Sequence, residues 1–509
     1  MAGRHANWWE TRWFAALLVV IGTVPLWWPT VPPLVDLPGH MGRYRVQLDL
    51  AGSPALQAFY TFRWQVIGNL GIDLLIVPMS AVFGLELGTK LIVMAIPALT
   101  VAGLLWIGRE VHGEVQPTAL FALPLAYGYP FLFGFTNFAL SMAFALLAFA
   151  LWLRLGRLGR LRLRFGLFLA IGPVIWITHA FGWGTLGVLS FSAELIRQHD
   201  RRGDWMGSGL RAAVHCLALA PPILLMLLWR SGQAGGETTD WFNLPAKLLW
   251  LLMILRERWW IVDQLSLALL VGLVVAALAS KRMEVSRNLG ASALFLFLVF
   301  LILPRIVFGS AYADMRLAPY MLAVAVIGIR LRPGASPRLR SALALAGLLF
   351  FLGRIGGTTY TNALEWRRNA SALSALQSVP LGARMVSFVG VRCTPPWAFR
   401  RNWHLPGMAI VRRHAFSNDQ WSLSGAQLLT PILPVGRFAR DPSQIVNDGR
   451  CGRSEWRSLD SSLAEVPRAV FTHLWLIEPP RFDRRLLARD TLLWSDGRSA
   501  LYRLAPPAR

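Results

Sequence analysis

The chain has 509 residues, 55% of them hydrophobic and only 15% charged, with a mean hydropathy of +0.47. This composition excludes an ordinary soluble globular protein, and apolar runs long enough to cross a bilayer recur through the first 355 residues. A net charge of +24 would point to nucleic acid in a soluble protein, but much of it sits in short loops between apolar runs, so no nucleic-acid partner is expected.

Eleven spans are predicted, near residues 13–29, 90–107, 116–132, 137–153, 165–179, 182–197, 210–229, 264–280, 289–308, 317–331 and 340–355. The first follows a short basic head and runs into Trp27-Trp28-Pro29 rather than a small-residue cleavage site, so a retained span is expected rather than a signal peptide. With the N-terminus inside, the predicted inner loops hold Arg109, the run Arg154, Arg157, Arg160, Arg162 and Arg164, then Arg197, Arg201 and Arg202, Lys281, Arg282 and Arg287, and Arg330 to Arg340. That bias fits the positive-inside rule.

The first two spans are separated by a large external loop, residues 30–89. It opens on Pro33-Leu34-Val35-Asp36-Leu37-Pro38-Gly39-His40-Met41-Gly42-Arg43. An aspartate, a histidine and an arginine beside hydrocarbon are costly unless they meet water, substrate or one another, which makes this segment a candidate site. Later in the loop, Leu70 to Phe83 is apolar enough to span. Counting it would move the five-arginine loop outside, so an interfacial or partly re-entrant helix is predicted.

Residues 1–355 thus form a membrane module, and 356–509, rich in Arg, Pro and Trp, form an external domain of mixed helix and strand. An odd span count puts this domain outside, where Cys393 and Cys451 are favoured to form a disulfide; Cys216 lies in an apolar run and reads as a small buried residue.

Several polar residues converge on the predicted outer face. Asp36 is the candidate general base, since a carboxylate within hydrogen-bond reach of an acceptor hydroxyl can take its proton as attack proceeds. His40, one helical turn on, is placed to orient that carboxylate or to contact substrate. Arg316 and Arg43 offer forked donors to a phosphate, and Asp314 is placed to orient Arg316 or contact sugar hydroxyls. Tyr129, Asn137, Tyr312 and His179, which interrupts a long apolar stretch, are the remaining substrate-binding candidates. Two ligands in one loop do not define a metal site, and neither a metal nor a cofactor is expected.

One span, a long external loop with an early acidic residue, a multispan bundle and an external C-terminal domain together resemble the GT-C superfamily of integral membrane glycosyltransferases, in particular its poorly characterised bacterial members. The local pattern Asp36-Leu37-Pro38-Gly39-His40-Met41-Gly42-Arg43 is similar to that of membrane proteins with an early Asp-x-Pro-x-His segment. The resemblance implies an all-α polytopic bundle of about 11 transmembrane helices with an extracytoplasmic α+β domain, in a bacterial inner membrane with that domain in the periplasm. It implies a polyprenyl-phosphate sugar donor, transfer with inversion to a glycan, lipid or protein acceptor, and a first-loop acid as base, a role that carries to Asp36 alone. The segment Leu132 to Asn137 departs from the family pattern in lacking an acidic residue, which argues against a paired-carboxylate metal mechanism. A transporter or flippase of a lipid-linked glycan and a noncatalytic envelope-assembly subunit are the alternatives.

Overall fold

The computed structural model describes residues 7–230, 236–394, 396–422, 427–451 and 456–507. The chain up to Leu373 contains helices α1 (Arg12–Ile21), α2 (Leu37–Asp49), α3 (Pro54–Phe59), α4 (Gly71–His112), α5 (Tyr129–Phe133), α6 (Thr136–Arg157), α7 (Leu161–Thr178) and α8 (Ala180–Arg202). It continues with α9 (Trp205–Cys216), α10 (Pro221–Arg230), α11 (Leu244–Leu252), α12 (Trp260–Ala279), α13 (Arg287–Ile302), α14 (Ala318–Ile327) and α15 (Pro337–Leu373). Among the described residues, α4, α6, α7, α12 and α15 are long and apolar enough to cross a membrane, and α9 with α10, bent by 64°, makes a sixth if taken as one span. All eleven predicted stretches fall on helical segments, but α1, α13 and α14 are shorter than a full crossing.

The predicted third span is not an α-helix. It is a buried 3₁₀ stretch, Pro117–Tyr127, leading into α5. Pro124 removes a backbone donor from the middle of the run, and the neighbouring α4, α14 and α15 enclose it on all sides. The Leu70 to Phe83 segment is the first part of α4, set off by a non-helical Gly84 at φ 73°, ψ 167°. A Cβ on Gly88 would lie 3.1 Å from the Met79 backbone, so the chain folds sharply back at this break. Leu74, Val77 and Val82 on the outer segment are exposed.

Ion pairs gather at one end of the bundle, where Arg157 meets Glu110 at 2.7 Å, Arg340 meets Glu114 at 3.1 Å and Arg330 meets Glu284 at 2.7 Å. These are the loops that the charge bias assigns to one side. The opposite end carries the first loop, the α7–α8 corner and the segment between α13 and α14.

The C-terminal region adds α16 (Gly407–Arg413), α17 (Leu459–Ala464) and a five-stranded sheet. In chain order the strands are β1 (Tyr60–Phe62), β2 (Met283–Val285), β3 (Ile329–Leu331), β4 (Met385–Gly390), β5 (Leu429–Pro431), β6 (Ile445–Val446), β7 (His473–Ile477), β8 (Thr491–Ser495) and β9 (Ala500–Arg503). The large sheet runs β6-β4-β7-β9-β8, with β4 parallel to β6 and β7 and the rest antiparallel. Cys393 and Cys451 are joined in a disulfide between the segments that follow β4 and β6.

The first loop and the C-terminal region are built as one body. Strand β1 pairs with β5, and Val46, Leu56, Phe59 and Tyr60 share a hydrophobic core with Val386, Phe388, Phe416 and Leu474. They also meet glycine on backbone: a Cβ at Gly407 would lie 2.5 Å from the Pro38 carbonyl and 2.9 Å from Gly39 Cα. Replacing Gly407 with alanine should therefore cost on the order of 1–3 kcal/mol, since backbone must move to admit the methyl. A thermal melt checks this against Gly52→Ala, whose Cβ meets nothing within 4 Å and which should melt like the native protein.

Candidate active site

Asp36 sits at the N-cap of α2, where its backbone N–H donates to the Phe133 carbonyl at 3.0 Å. Gly134, at φ 103°, makes that approach possible, because a Cβ there would lie 2.6 Å from the Asp36 nitrogen. The helix that follows opens with Leu37-Pro38, a proline in the first turn whose missing donor is not needed there. The side chain of Asp36 does not cap its own helix and is buried, with a residue exposure of 7%.

What it meets comes from the C-terminal region. His404 Nε2 lies 3.9 Å from Asp36 Oδ1 and 3.7 Å from Asp441 Oδ1. Its other nitrogen, Nδ1, stands 3.1 Å from the Asp419 carbonyl and 3.7 Å from that residue's carboxylate. Donation from Nδ1–H to the carbonyl fixes the ring and turns Nε2 toward the two remaining acids. Asp419 is held in turn by the Ser417 hydroxyl at 2.8 Å and the Gln420 amide at 3.2 Å. The Trp421 ring covers both imidazoles, with centroids 4.2 Å from His404 and 4.8 Å from His40.

Burial pushes the Asp36 carboxyl up to about 7, with Asp441 adding to the rise while His404 and Arg316 oppose it. Burial pulls the His404 ring down, but Asp419, Asp441 and Asp36 outweigh it and raise the ring to about 9. Asp441 is likewise raised by burial. Near neutral pH the cluster therefore has a carboxyl close to its titration point beside a protonated imidazole, the condition that suits a general base.

The sequence candidates divide by what holds them. Arg316 is 7% exposed, donates to Ser310 Oγ at 3.2 Å and the Ala311 carbonyl at 3.3 Å, and stacks on Phe135 at 4.2 Å. Among the described residues no carboxylate is in ion-pair range of it. Asp36 acts on it only at longer range, and burial lowers its guanidinium to about 10. His179 stands 3.4 Å from Arg316 NH1 and caps α8 by accepting the Phe181 N–H at 3.2 Å.

Arg43, by contrast, is paired with buried Asp73 at 2.9 Å and donates to Gln427 at 2.9 Å. Asn137 also donates to Asp73, at 3.1 Å, and accepts the Ile72 N–H at 2.7 Å, so it anchors the start of α4. Asp314 pairs with Lys247 at 3.3 Å, and Lys247 also holds the Phe300 and Leu303 carbonyls at the end of α13. Tyr312, at φ 63°, packs on Phe133 and Trp250. Tyr129 accepts from Arg256 at 3.3 Å. His40 lies between Trp421 and Tyr44, with Nδ1 buried and without a hydrogen-bond partner among the described residues.

Among the described residues, one group has metal-ligand spacing, Cys393, Asp448 and Cys451. The disulfide consumes both of its sulfurs as ligands. Sequence reasoning missed His404, Asp419, Asp441 and Trp421. The available signal was Ser417-Asn418-Asp419-Gln420, four polar residues in a row, all fully or almost fully buried.

No family model and no curated protein matches the sequence. Two solved structures resemble the chain. One is ArnT from Cupriavidus metallidurans bound to undecaprenyl phosphate, at 14% identity and a TM-score of 0.49, covering 97% of this chain and 99% of that one. The other is the same protein in its apo state, at 14% identity and a TM-score of 0.48, covering 97% and 98%. A likeness at this level leaves the chemistry to be argued from this chain's own side chains.

The charges around Asp36 predict opposite responses to two substitutions. Asp441→Asn should lower the Asp36 titration and His404→Gln should raise it, each by about one unit or more for partners this close. Infrared difference titration of the carboxylates, with Asp36→Asn as the reference, reads both. Shifts in the same direction would contradict the arrangement.

Proposed function

We propose that this chain is a membrane glycosyltransferase that moves a sugar from a polyprenyl-phosphate donor to a hydroxyl on a glycan, lipid or protein acceptor. The reaction inverts the anomeric carbon, needs no metal, and takes place at the periplasmic face of a bacterial inner membrane. The observation that carries this reading is the placement, at one end of an apolar bundle, of a buried carboxylate beside a buried imidazole, together with a buried arginine that no carboxylate pairs with among the described residues. An unneutralised guanidinium is costly to bury, and a phosphate oxyanion is the partner its fork fits.

In the proposed step, Asp36 accepts the proton of the acceptor hydroxyl as that oxygen bonds to the anomeric carbon. The bond from the anomeric carbon to the phosphate oxygen breaks, and its electron pair leaves on the lipid phosphate, where Arg316 stabilises the charge. His404, fixed by Asp419, is a positioning residue that keeps Asp36 ionisable despite its burial. Arg43 stands behind the first-loop helix, where Asp73 holds it; His40, His179, Tyr129 and Tyr312 form the walls, Trp421 offers a flat face to a sugar ring, and Lys247 with Asp314 braces the segment that bears Arg316.

Asp36→Asn should lower the transfer rate constant by about 10²–10⁴-fold, the usual contribution of a general base. The variant should melt no lower than the native protein at pH 8, because it removes a buried charge. Arg316→Gln should chiefly raise the KM for the lipid-phosphate donor. Steady-state kinetics on purified protein separate the two effects; near-native transfer by folded Asp36→Asn protein would sink the base assignment.

A further inference from the structure

A polar cavity of about 350 Å³ opens where the last turns of α15, the segment before α16, the end of β7 and the β8–β9 turn meet. Its size is that of a small-molecule site. It lies at the carboxyl end of β7, which runs parallel to β4, and in open α/β sheets that is the edge where ligands bind. The backbone is strained there. Glu478, the residue after β7, is held at φ 42°, and its carbonyl closes on Gly390 at the end of β4, where a Cβ would lie 2.2 Å from it.

The acidic groups of the cavity already have partners. Glu478 pairs with Arg400 at 3.1 Å, and Asp496 accepts from the Ser371 hydroxyl and from the Ser499 N–H at 2.7 Å. Of the cavity's arginines, Arg368 is taken up by Glu365 at 3.1 Å. Arg367 and Arg498 are different: both are exposed at the cavity, and neither guanidinium has a partner among the described residues. Asn402, 5% exposed, also makes no side-chain hydrogen bond among the described residues. Of its two amide atoms only the oxygen is fully enclosed, so the nitrogen is the donor at the cavity wall. Asn369 donates to the Arg401 carbonyl at 3.2 Å, which leaves its oxygen as an acceptor.

These open groups select a ligand by charge and by hydrogen bonding. Three arginines and two carboxylates line the cavity, an excess of one positive charge. A carboxylate matches that excess, whereas a phosphate monoester, near two negative charges at pH 7, exceeds it. A hydroxyl both gives and takes a hydrogen bond, which suits the free nitrogen of Asn402 and the free oxygen of Asn369. We propose that this cavity binds an acidic sugar, a uronate unit, with its carboxylate on Arg367 and Arg498 and its hydroxyls on Asn402 and Asn369. Asn402 stands two residues before His404 in the chain, so one short segment walls both this cavity and the Asp36 cluster. The site is separate from the one that transfers sugar in the proposed reaction and does not rest on that reading.

The test uses the full chain in non-ionic detergent, with methyl glucuronide and methyl glucoside titrated by saturation-transfer NMR and inorganic phosphate added as a competitor. Binding is the readout, so the result is the same whether or not the protein transfers sugar. The glucuronide should bind more tightly than the glucoside by about tenfold or more, the discrimination of a hydrogen bond between charged groups. Arg498→Gln and Arg367→Gln change exposed side chains and should fold normally, and each should lose most of that preference. Arg481→Gln, an exposed arginine outside the cavity, should bind both sugars as the native protein does. Equal binding of the two sugars, or a native preference in the Arg367→Gln, Arg498→Gln double variant, would overturn the proposal. Phosphate that displaces the glucuronide at or below the concentration at which the glucuronide itself binds would overturn it too, leaving a simple anion site.

Discussion

The contact of Gly407 with Pro38 and Gly39 is what places His404 against Asp36. No side chain fits between α2 and α16 at that point, and Gly42 is similarly close to the Gly407 carbonyl, at 3.1 Å from an added Cβ. The two helices therefore meet backbone to backbone; the loop before α16 delivers His404, and the segment after it delivers Trp421, over the start of α2. The shared core of the first loop and the C-terminal sheet holds this contact closed.

Once the contact is made, the electrostatics follow. Asp36 is too buried to ionise freely and too close to His404 to stay protonated far above neutrality. Two acids on the Nε2 side of one imidazole keep that imidazole charged, and the positive charge in turn holds Asp36 within reach of its ionised form. The arginines show the same logic from the other direction. Arg43 has a dedicated carboxylate in Asp73 and serves the packing of α2 on α4, whereas Arg316 rests among aromatic rings and carbonyl oxygens. Removing one partner of the Arg43–Asp73 pair would leave an uncompensated buried charge, at a cost of about 3–5 kcal/mol.

Much of the helical layout was legible because hydrophobic runs and loop arginines are local signals. The apolar run Leu70 to Phe83, which forms the first part of α4, was found this way, and the Cys393–Cys451 bridge followed from the place of both cysteines in the polar C-terminal region. The third span was misjudged in kind, since an apolar run broken by Pro124 folds as 3₁₀ helix when neighbours bury it on every side. The partners of Asp36 were not legible. His404, Asp419 and Asp441 lie more than 360 residues away in the chain, in segments whose polarity reads as surface loop, and only the tertiary contact with α2 turns them into a buried cluster. Asn137 was expected to meet substrate, whereas its side chain accepts the Ile72 N–H at the start of α4 and donates to Asp73.

The measurement that bears most directly on the central claim is a structure of the full chain with a polyprenyl phosphate or its sugar-bearing form bound. The account predicts the phosphate on the Arg316 guanidinium, the lipid chain along the apolar outside of the bundle, and the anomeric carbon between that phosphate and Asp36, beneath Trp421. A phosphate bound at the opposite end of the bundle, among the ion pairs of Arg157 and Arg340, or a sugar out of reach of Asp36, would contradict it.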